Sequence, residues 1–360
     1  MSNLIEKWFA VETPKGNFQA KYVSTNWAKG FNCTPRSCGL CCITELPEGV
    51  PKKSFKPFDK LICGHFNIER KTCQAYDNRP WGCRTYPFIF GVESGQVIIS
   101  PSLECPSTNI SEINLDILEK TFRYPAVGGV VDSFNDIFEK AKRSRFWDSS
   151  EEFWVFLQDE INKYLDSNTH FPMLNDLSEL VHGCIDHYFN VHVKRPEYPP
   201  INKIISTIVE DKSFISTNFH TNHVYFVKMN KLRAHLTIWN PSTGEIKTIE
   251  TQLTMQPQEL EIKKDGMQLL KDYFSLLFKR PFLSLAALTW PLIGIPTIIP
   301  TVLVNIFAGN FVYLEAVANL FAYRLRENGI DRNSMRELLS FADGCLVGQF
   351  RNPDKSIRSI

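Results

Sequence analysis

The chain has 360 residues, 43% hydrophobic and 22% charged, the composition of a globular protein large enough for two or three domains. Its 40 lysines and arginines balance 39 aspartates and glutamates; the resulting net charge of +1 leaves no basic footprint for nucleic acid and no excess for binding a polyanion. The opening Met1-Ser2-Asn3-Leu4-Ile5-Glu6-Lys7 has no apolar core and no small-residue cleavage site, so a secretory signal is not expected and a cytoplasmic location is.

Residues 1–30 are mixed in character, with one short strand expected at 17–24. Residues 31–85 show little periodicity and are rich in Cys, Pro and Gly. Such a segment builds little core, so something other than burial must hold it. Of the ten cysteines, eight fall here or just beyond: Cys33, Cys38, Cys41, Cys42, Cys63, Cys73, Cys83 and Cys105. Only Cys184 and Cys345 lie elsewhere. A disulfide framework belongs to oxidising compartments and usually to small chains. Thiols bunched in one segment of a large chain read instead as metal ligands, and all eight are expected to serve as such.

The densest run is Cys33-x4-Cys38-x2-Cys41-Cys42. Soft thiolates select zinc, copper(I) or iron–sulfur clusters. A four-residue then two-residue spacing with a remote fourth cysteine is also that of plant-type 2Fe–2S proteins, and Cys63, Cys73, Cys83 or Cys105 would supply the remote ligand. Adjacent side chains in extended backbone point different ways, so Cys41 and Cys42 are expected to serve different metals or different edges of a cluster. Eight thiols match two four-cysteine sites, or one cluster with spare thiols. Zinc sites usually pair two Cys-x2-Cys knuckles, and here one is present, Cys38–Cys41. The spacing therefore favours an iron–sulfur cluster, with 4Fe–4S expected, and leaves zinc as the alternative. Arg79 and Arg84 flank Cys83, either to offset thiolate charge or as ordinary surface residues.

Cys38-Gly39-Leu40-Cys41-Cys42, the single Cys63, the run Cys73-Gln74-Ala75-Tyr76-Asp77-Asn78-Arg79-Pro80-Trp81-Gly82-Cys83-Arg84-Thr85-Tyr86-Pro87-Phe88 and the late Cys105 resemble the YkgJ-type cysteine-cluster family. Its signature has the form CxxCxxCC, and its members are described as zinc- or iron-chelating proteins or Fe–S oxidoreductases. The resemblance covers residues 30–106, and the four-residue gap between Cys33 and Cys38 is longer than the family's usual one. A larger branch of that family resembles the flagellin lysine-N-methylases, which join such a module to a mostly helical remainder. Val302-Leu303-Val304-Asn305 and Phe321-Ala322-Tyr323-Arg324-Leu325 are similar to their C-terminal helices. This implies S-adenosylmethionine as a further cofactor and a protein substrate, although no glycine-rich methyl-donor loop follows any strand.

Further along, residues 86–90 and 96–100 flank Glu93-Ser94-Gly95 and predict a hairpin that returns Cys105 toward Cys83. Residues 111–195 turn helical, with the capping-box forms Ser149-x-x-Glu152 and Asp176-x-x-Glu179. His182, Cys184, His187 and His192 fall in one such helix; Cys184 and His187 share a face, but ordinary helix roles are expected. Pro196, Pro199 and Pro200 mark a boundary before three antiparallel strands at 223–229, 232–239 and 245–250. An amphipathic helix is expected at 267–279. Residues 281–314 carry no charge and no histidine, and with Pro291, Pro296 and Pro300 they read as buried helical core in preference to a membrane-embedded segment. A helix is expected at 311–327 and another from Ser334-x-x-Glu337.

The expectation is an α+β protein with a metal-stapled cysteine module at 1–110, a helical region at 111–200, a small antiparallel sheet at 201–265 and an apolar helical region at 266–360. Three functions fit: a redox or regulatory iron–sulfur protein, a cluster-dependent lysine methylase, and a zinc-stapled interaction protein. The partner would be a protein substrate or redox partner. No residue is singled out as catalytic.

Overall fold

The computed structural model describes residues 4–13, 16–28, 40–44, 50–55, 60–70, 72–93, 96–103, 105, 115–122, 150–170, 174–190, 215–218, 223–230, 233–240, 243–252, 260–280 and 329–351. The architecture is mixed α+β. Strands β1 (Leu4–Thr13) and β2 (Gly16–Thr25) form an antiparallel hairpin with Thr13 opposite Gly16. β7 (Phe88–Glu93) and β8 (Gln96–Pro101) form the hairpin expected around Glu93-Ser94-Gly95. The two hairpins join edge to edge through a parallel pairing of β2 with β8, Ala20 opposite Val97 and Tyr22 opposite Ile99. The sheet order is β1-β2-β8-β7. Of this sheet the sequence predicts β2 and the second hairpin; β1 was not expected.

Side chains alternate across a strand, so the sheet has two faces and both are covered. Val11, Ala20, Tyr22, Phe88, Val97 and Ile99 form one buried face, closed by Leu118 of α3 (Leu115–Phe122). The opposite face carries Val23, Ile98 and Ser100, all buried. Against it packs α6 (Lys264–Lys279), with Arg280 at its end bonded to Ser100, and α7 (Arg332–Arg351) packs on α6. The helix expected at 267–279 is thus present and starts three residues earlier. The expected helix at 311–327 and the uncharged stretch at 281–314 lie outside the described residues. Among the described residues no helix is long and apolar enough to cross a membrane.

Two further helices, α4 (Ser150–Ser167) and α5 (Leu174–Phe189), pair antiparallel, with the Phe153 and Tyr188 rings 5.3 Å apart. The buried stripe Phe153, Leu157, Ile161 and Leu165 recurs every four residues, the spacing that brings one helix face to its neighbour. It meets Leu177, Val181 and Ile185, which are buried too. Asp176 lies inside the first turn of α5, three residues later than the cap position, and accepts a hydrogen bond from the Tyr164 hydroxyl at 3.2 Å. α4 also reaches α6, where Gln158 Nε2 donates to Ser275 Oγ at 2.8 Å and Asp166 pairs with Lys271.

The second sheet is an antiparallel meander: β9 (Ile215–Asn218), β10 (His223–Asn230), β11 (Arg233–Trp239) and β12 (Ile246–Gln252). The three strands expected at 223–250 correspond to β10, β11 and β12, and β9 adds an edge. Trp239 closes β11 and is buried against Phe55 of the cysteine-rich segment, ring centroids 5.4 Å apart.

Candidate metal centre

The cysteine-rich segment is made of very short elements. α1 (Leu40–Thr44) carries Cys41 and Cys42. The ribbon of β3 (Lys52–Phe55) with β4 (Lys60–Cys63) ends at Cys63. The ribbon of β5 (Phe66–Asn67) with β6 (Thr72–Cys73) ends at Cys73, opposite Phe66. α2 (Trp81–Thr85) carries Cys83. Each cysteine thus ends or occupies an element too short to be stable alone. Their shared apolar support is small: Ile43, Val50, Phe55, Ile62, Phe66 and Trp239, packed with Cys42 and Cys63 themselves.

The backbone is drawn tight around these thiols. Gly64, next to Cys63, donates its N–H to the Pro51 carbonyl at 2.5 Å. A side chain there would put a Cβ 3.0 Å from both the Pro51 Cβ and its carbonyl oxygen, so glycine is needed for the approach. The Gln74 N–H bonds the His65 carbonyl at 2.9 Å, extending the ribbon that sets Cys73 opposite Phe66. Two arginines secure the loop before Cys83. Arg84 donates from Nε to the Arg79 carbonyl at 2.8 Å and from Nη2 to the Asp77 carbonyl at 3.1 Å. Arg79 donates from Nε to the Tyr76 carbonyl at 3.0 Å and lies over the Tyr76 ring, 3.9 Å from its centre. Arg84 is therefore a backbone clamp, while Arg79 is a cation fixed on Tyr76.

The electrostatics place several of those thiols in one neighbourhood. The Cys41 thiol is pushed well up from its ordinary value, first by its hydrogen bond with Cys42, then by burial and by the charge of Cys42; Arg79 opposes this. Burial pushes the Cys83 thiol up to about 11, Cys41, Cys63 and Cys73 add to the rise, and Arg79 works against it. Cys42 and Cys63 are buried in one cluster with Cys41 and Cys73 packed against it, and the charges of Cys41, Cys63 and Cys73 reach Cys83. Among the described residues, no three Cys, His, Asp or Glu side chains stand at metal-holding separation. Cys33 and Cys38, the first thiols of the expected motif, lie outside the described residues. Cys105 is buried in a turn just past β8, its N–H bonded to the Ser102 carbonyl at 3.3 Å. Phe88 pairs with Pro101, so Cys83 and Cys105 leave the same open end of the β7–β8 hairpin.

The donor set suits a soft metal. Ionising several neighbouring thiols packed in an apolar cluster is unfavourable. A metal reverses this, because it binds the thiolate form and its charge offsets theirs. Cys184 has different surroundings. Cys184 is buried between α5 and α4, and burial, then the Glu160 carboxylate, push its thiol up to about 11 while Lys163 opposes. His187, its partner on the helix face, lies beside the Phe156 ring at 6.2 Å. Cys345 lies in α7.

One buried site has no counterpart in the sequence reading. Arg280, 1% exposed at the end of α6, makes an ion pair with the fully buried Asp343 of α7. Its Nε donates to Ser100 Oγ at 3.0 Å, and its Nη2 to the Pro101 carbonyl at 2.8 Å and to Asp343 Oδ2 at 3.1 Å. The signal available was an arginine opening an uncharged stretch and an aspartate set between Ala342 and Gly344; neither points to its partner. Comparison of the chain with protein-family models, with curated proteins and with solved structures found no match.

Proposed function

We propose that the segment around Cys41, Cys42, Cys63, Cys73 and Cys83 binds a thiolate-held metal centre, completed by Cys33, Cys38 and Cys105, and that the protein is an iron–sulfur protein with a redox or regulatory role. One observation carries this reading: Cys42 and Cys63 are buried in one small cluster with Cys41 and Cys73 packed against it, so that four thiols from three short elements meet. The small size of the shared apolar cluster supports it, because such a segment gains its stability from metal ligation. The cysteine spacing favours an iron–sulfur cluster over zinc, and with it a reducing, cytoplasmic setting.

In this reading Arg79 offsets part of the negative charge of the ligand set, and the buried Trp239 shields one side of it from water. Both are levers on cluster potential. The cluster itself would supply one-electron chemistry.

The test is anaerobic purification of the full chain with iron and acid-labile sulfide analysis. The expected result is a brown protein with sulfide near stoichiometric with iron. Cys41→Ser and Cys83→Ser should lose most of the metal, and Cys184→Ser should keep it. A colourless protein holding zinc without sulfide would keep the ligand set and replace the cluster. Full metal content in the Cys41 and Cys83 variants would end the model.

A further inference from the structure

The Arg280–Asp343 pair does more than join two helices, because three of its other side-chain hydrogen bonds go to one short stretch of chain. Arg280 binds the Ser100 hydroxyl and the Pro101 carbonyl. Asp343 Oδ2 accepts the Leu103 N–H at 2.6 Å, and its Oδ1 accepts the Tyr273 hydroxyl at 3.3 Å. The same stretch is held from its other side by the Ser102 N–H, which bonds the Pro87 carbonyl at 2.6 Å. The next bond is from the Cys105 N–H to the Ser102 carbonyl. A buried ion pair from the C-terminal helices thus holds the backbone from Ser100 to Leu103, two residues before Cys105, although Asp343 and Leu103 are 240 residues apart in sequence.

We propose that Arg280 and Asp343 are positioning residues for Cys105, and that metal binding at the cysteine module and docking of α7 on α6 and the end of β8 are coupled through them. The inference rests on the metal-centre reading above. The coupling needs no moving part beyond the turn at 102–105. A metal that captures the Cys105 sulfur holds that turn in place and so favours the Leu103–Asp343 bond. Asp343, in turn, presents Cys105 already placed to the metal. Such coupling is reciprocal: whatever α7 docking adds to metal affinity, metal adds to α7 docking. Removal of outer-shell groups that orient a ligand typically weakens metal binding about 10–100-fold.

The experiment is hydrogen–deuterium exchange on the full chain, stripped of metal and then reconstituted anaerobically with iron and sulfide, or with zinc alone. Peptides covering 101–105 and 332–351 should become more protected on loading. In Cys105→Ser the metal held by the remaining thiols should leave α7 exchange unchanged. Asp343→Asn, which keeps shape and removes the charge, should weaken metal retention about 10–100-fold against a competing chelator. Should that variant fail to fold, the comparison of stripped and loaded wild type decides alone. Metal that binds while α7 exchange stays the same overturns the coupling and leaves the metal centre standing. A chain that binds no metal overturns both.

Discussion

Asp331 begins α7 by accepting the Ser334 N–H at its Oδ1, 2.8 Å away. More than any other influence, that bond holds the Asp331 carboxyl below its ordinary range. A depressed carboxyl favours folding only when ionised. Its contribution is therefore complete above the unfolded value of about 3.9 and is lost as pH falls through the lower folded value. Asp331→Ala should cost about 1 kcal/mol at neutral pH, as loss of a helix cap does. The difference from wild type, read by denaturant unfolding, should shrink in acid; a difference constant with pH would exclude the ionised cap. The residue scale is also where pattern and structure part by a few positions. Ser334-x-x-Glu337 has the capping-box form, yet Ser334 is already inside the helix and donates to the true cap. Ser, Asp and Asn all serve as caps, and only the geometry selects among neighbours.

Gly266 shows how one element constrains another. It lies in the first turn of α6, where alanine would normally be the better helix former by about 1 kcal/mol. Here a Cβ would sit 2.5 Å from the Ile330 carbonyl oxygen and 3.2 Å from that of Asp331. Both are backbone atoms, on the strand-like stretch where Lys263 N–H bonds Ile330 O and Ile330 N–H bonds Glu261 O. Gly266→Ala should therefore destabilise the protein by about 1–3 kcal/mol, as overpacking does, reversing the sign expected from helix propensity. Thermal denaturation of the two proteins measures it, and a stabilised variant would mean that the two segments are not in contact. Elements whose signals are local were legible in the sequence: the β7–β8 hairpin from its turn, α6 from its periodicity, the meander from its spacing. β1 was not. Trp8 and Phe9 are adjacent, and Trp8 is 49% exposed over Lys21 while Phe9 faces the core, so polar–apolar alternation is blurred.

At the scale of the whole molecule, the cysteines are crowded in sequence, and Cys41, Cys42, Cys63 and Cys73 also meet in one packed cluster. What composition did not reveal is everything that depends on partners far apart in sequence: the β2–β8 pairing, Trp239 on Phe55, and Arg280 with Asp343. Stripping metal should lower the melting temperature of the whole chain by several degrees, since a ligand at 100 times its Kd contributes about 2.7 kcal/mol. Calorimetry of stripped and reconstituted protein checks this; equal melting curves would show that the module is stable without it. The parallel pairing carries a kinetic consequence as well. β2 and β8 close a loop of 70 residues, 26–95, and the cysteines from Cys33 to Cys83 all lie inside it. Joining Cys41 to Cys83 removes more than half of that loop, and each halving lowers the closure cost by about 0.6 kcal/mol. Refolding from denaturant should then run faster when metal is present at the start than when it is added at the end. The central sheet would be nucleated by ligation, and a newly made chain would gain its registry only as quickly as metal reaches it.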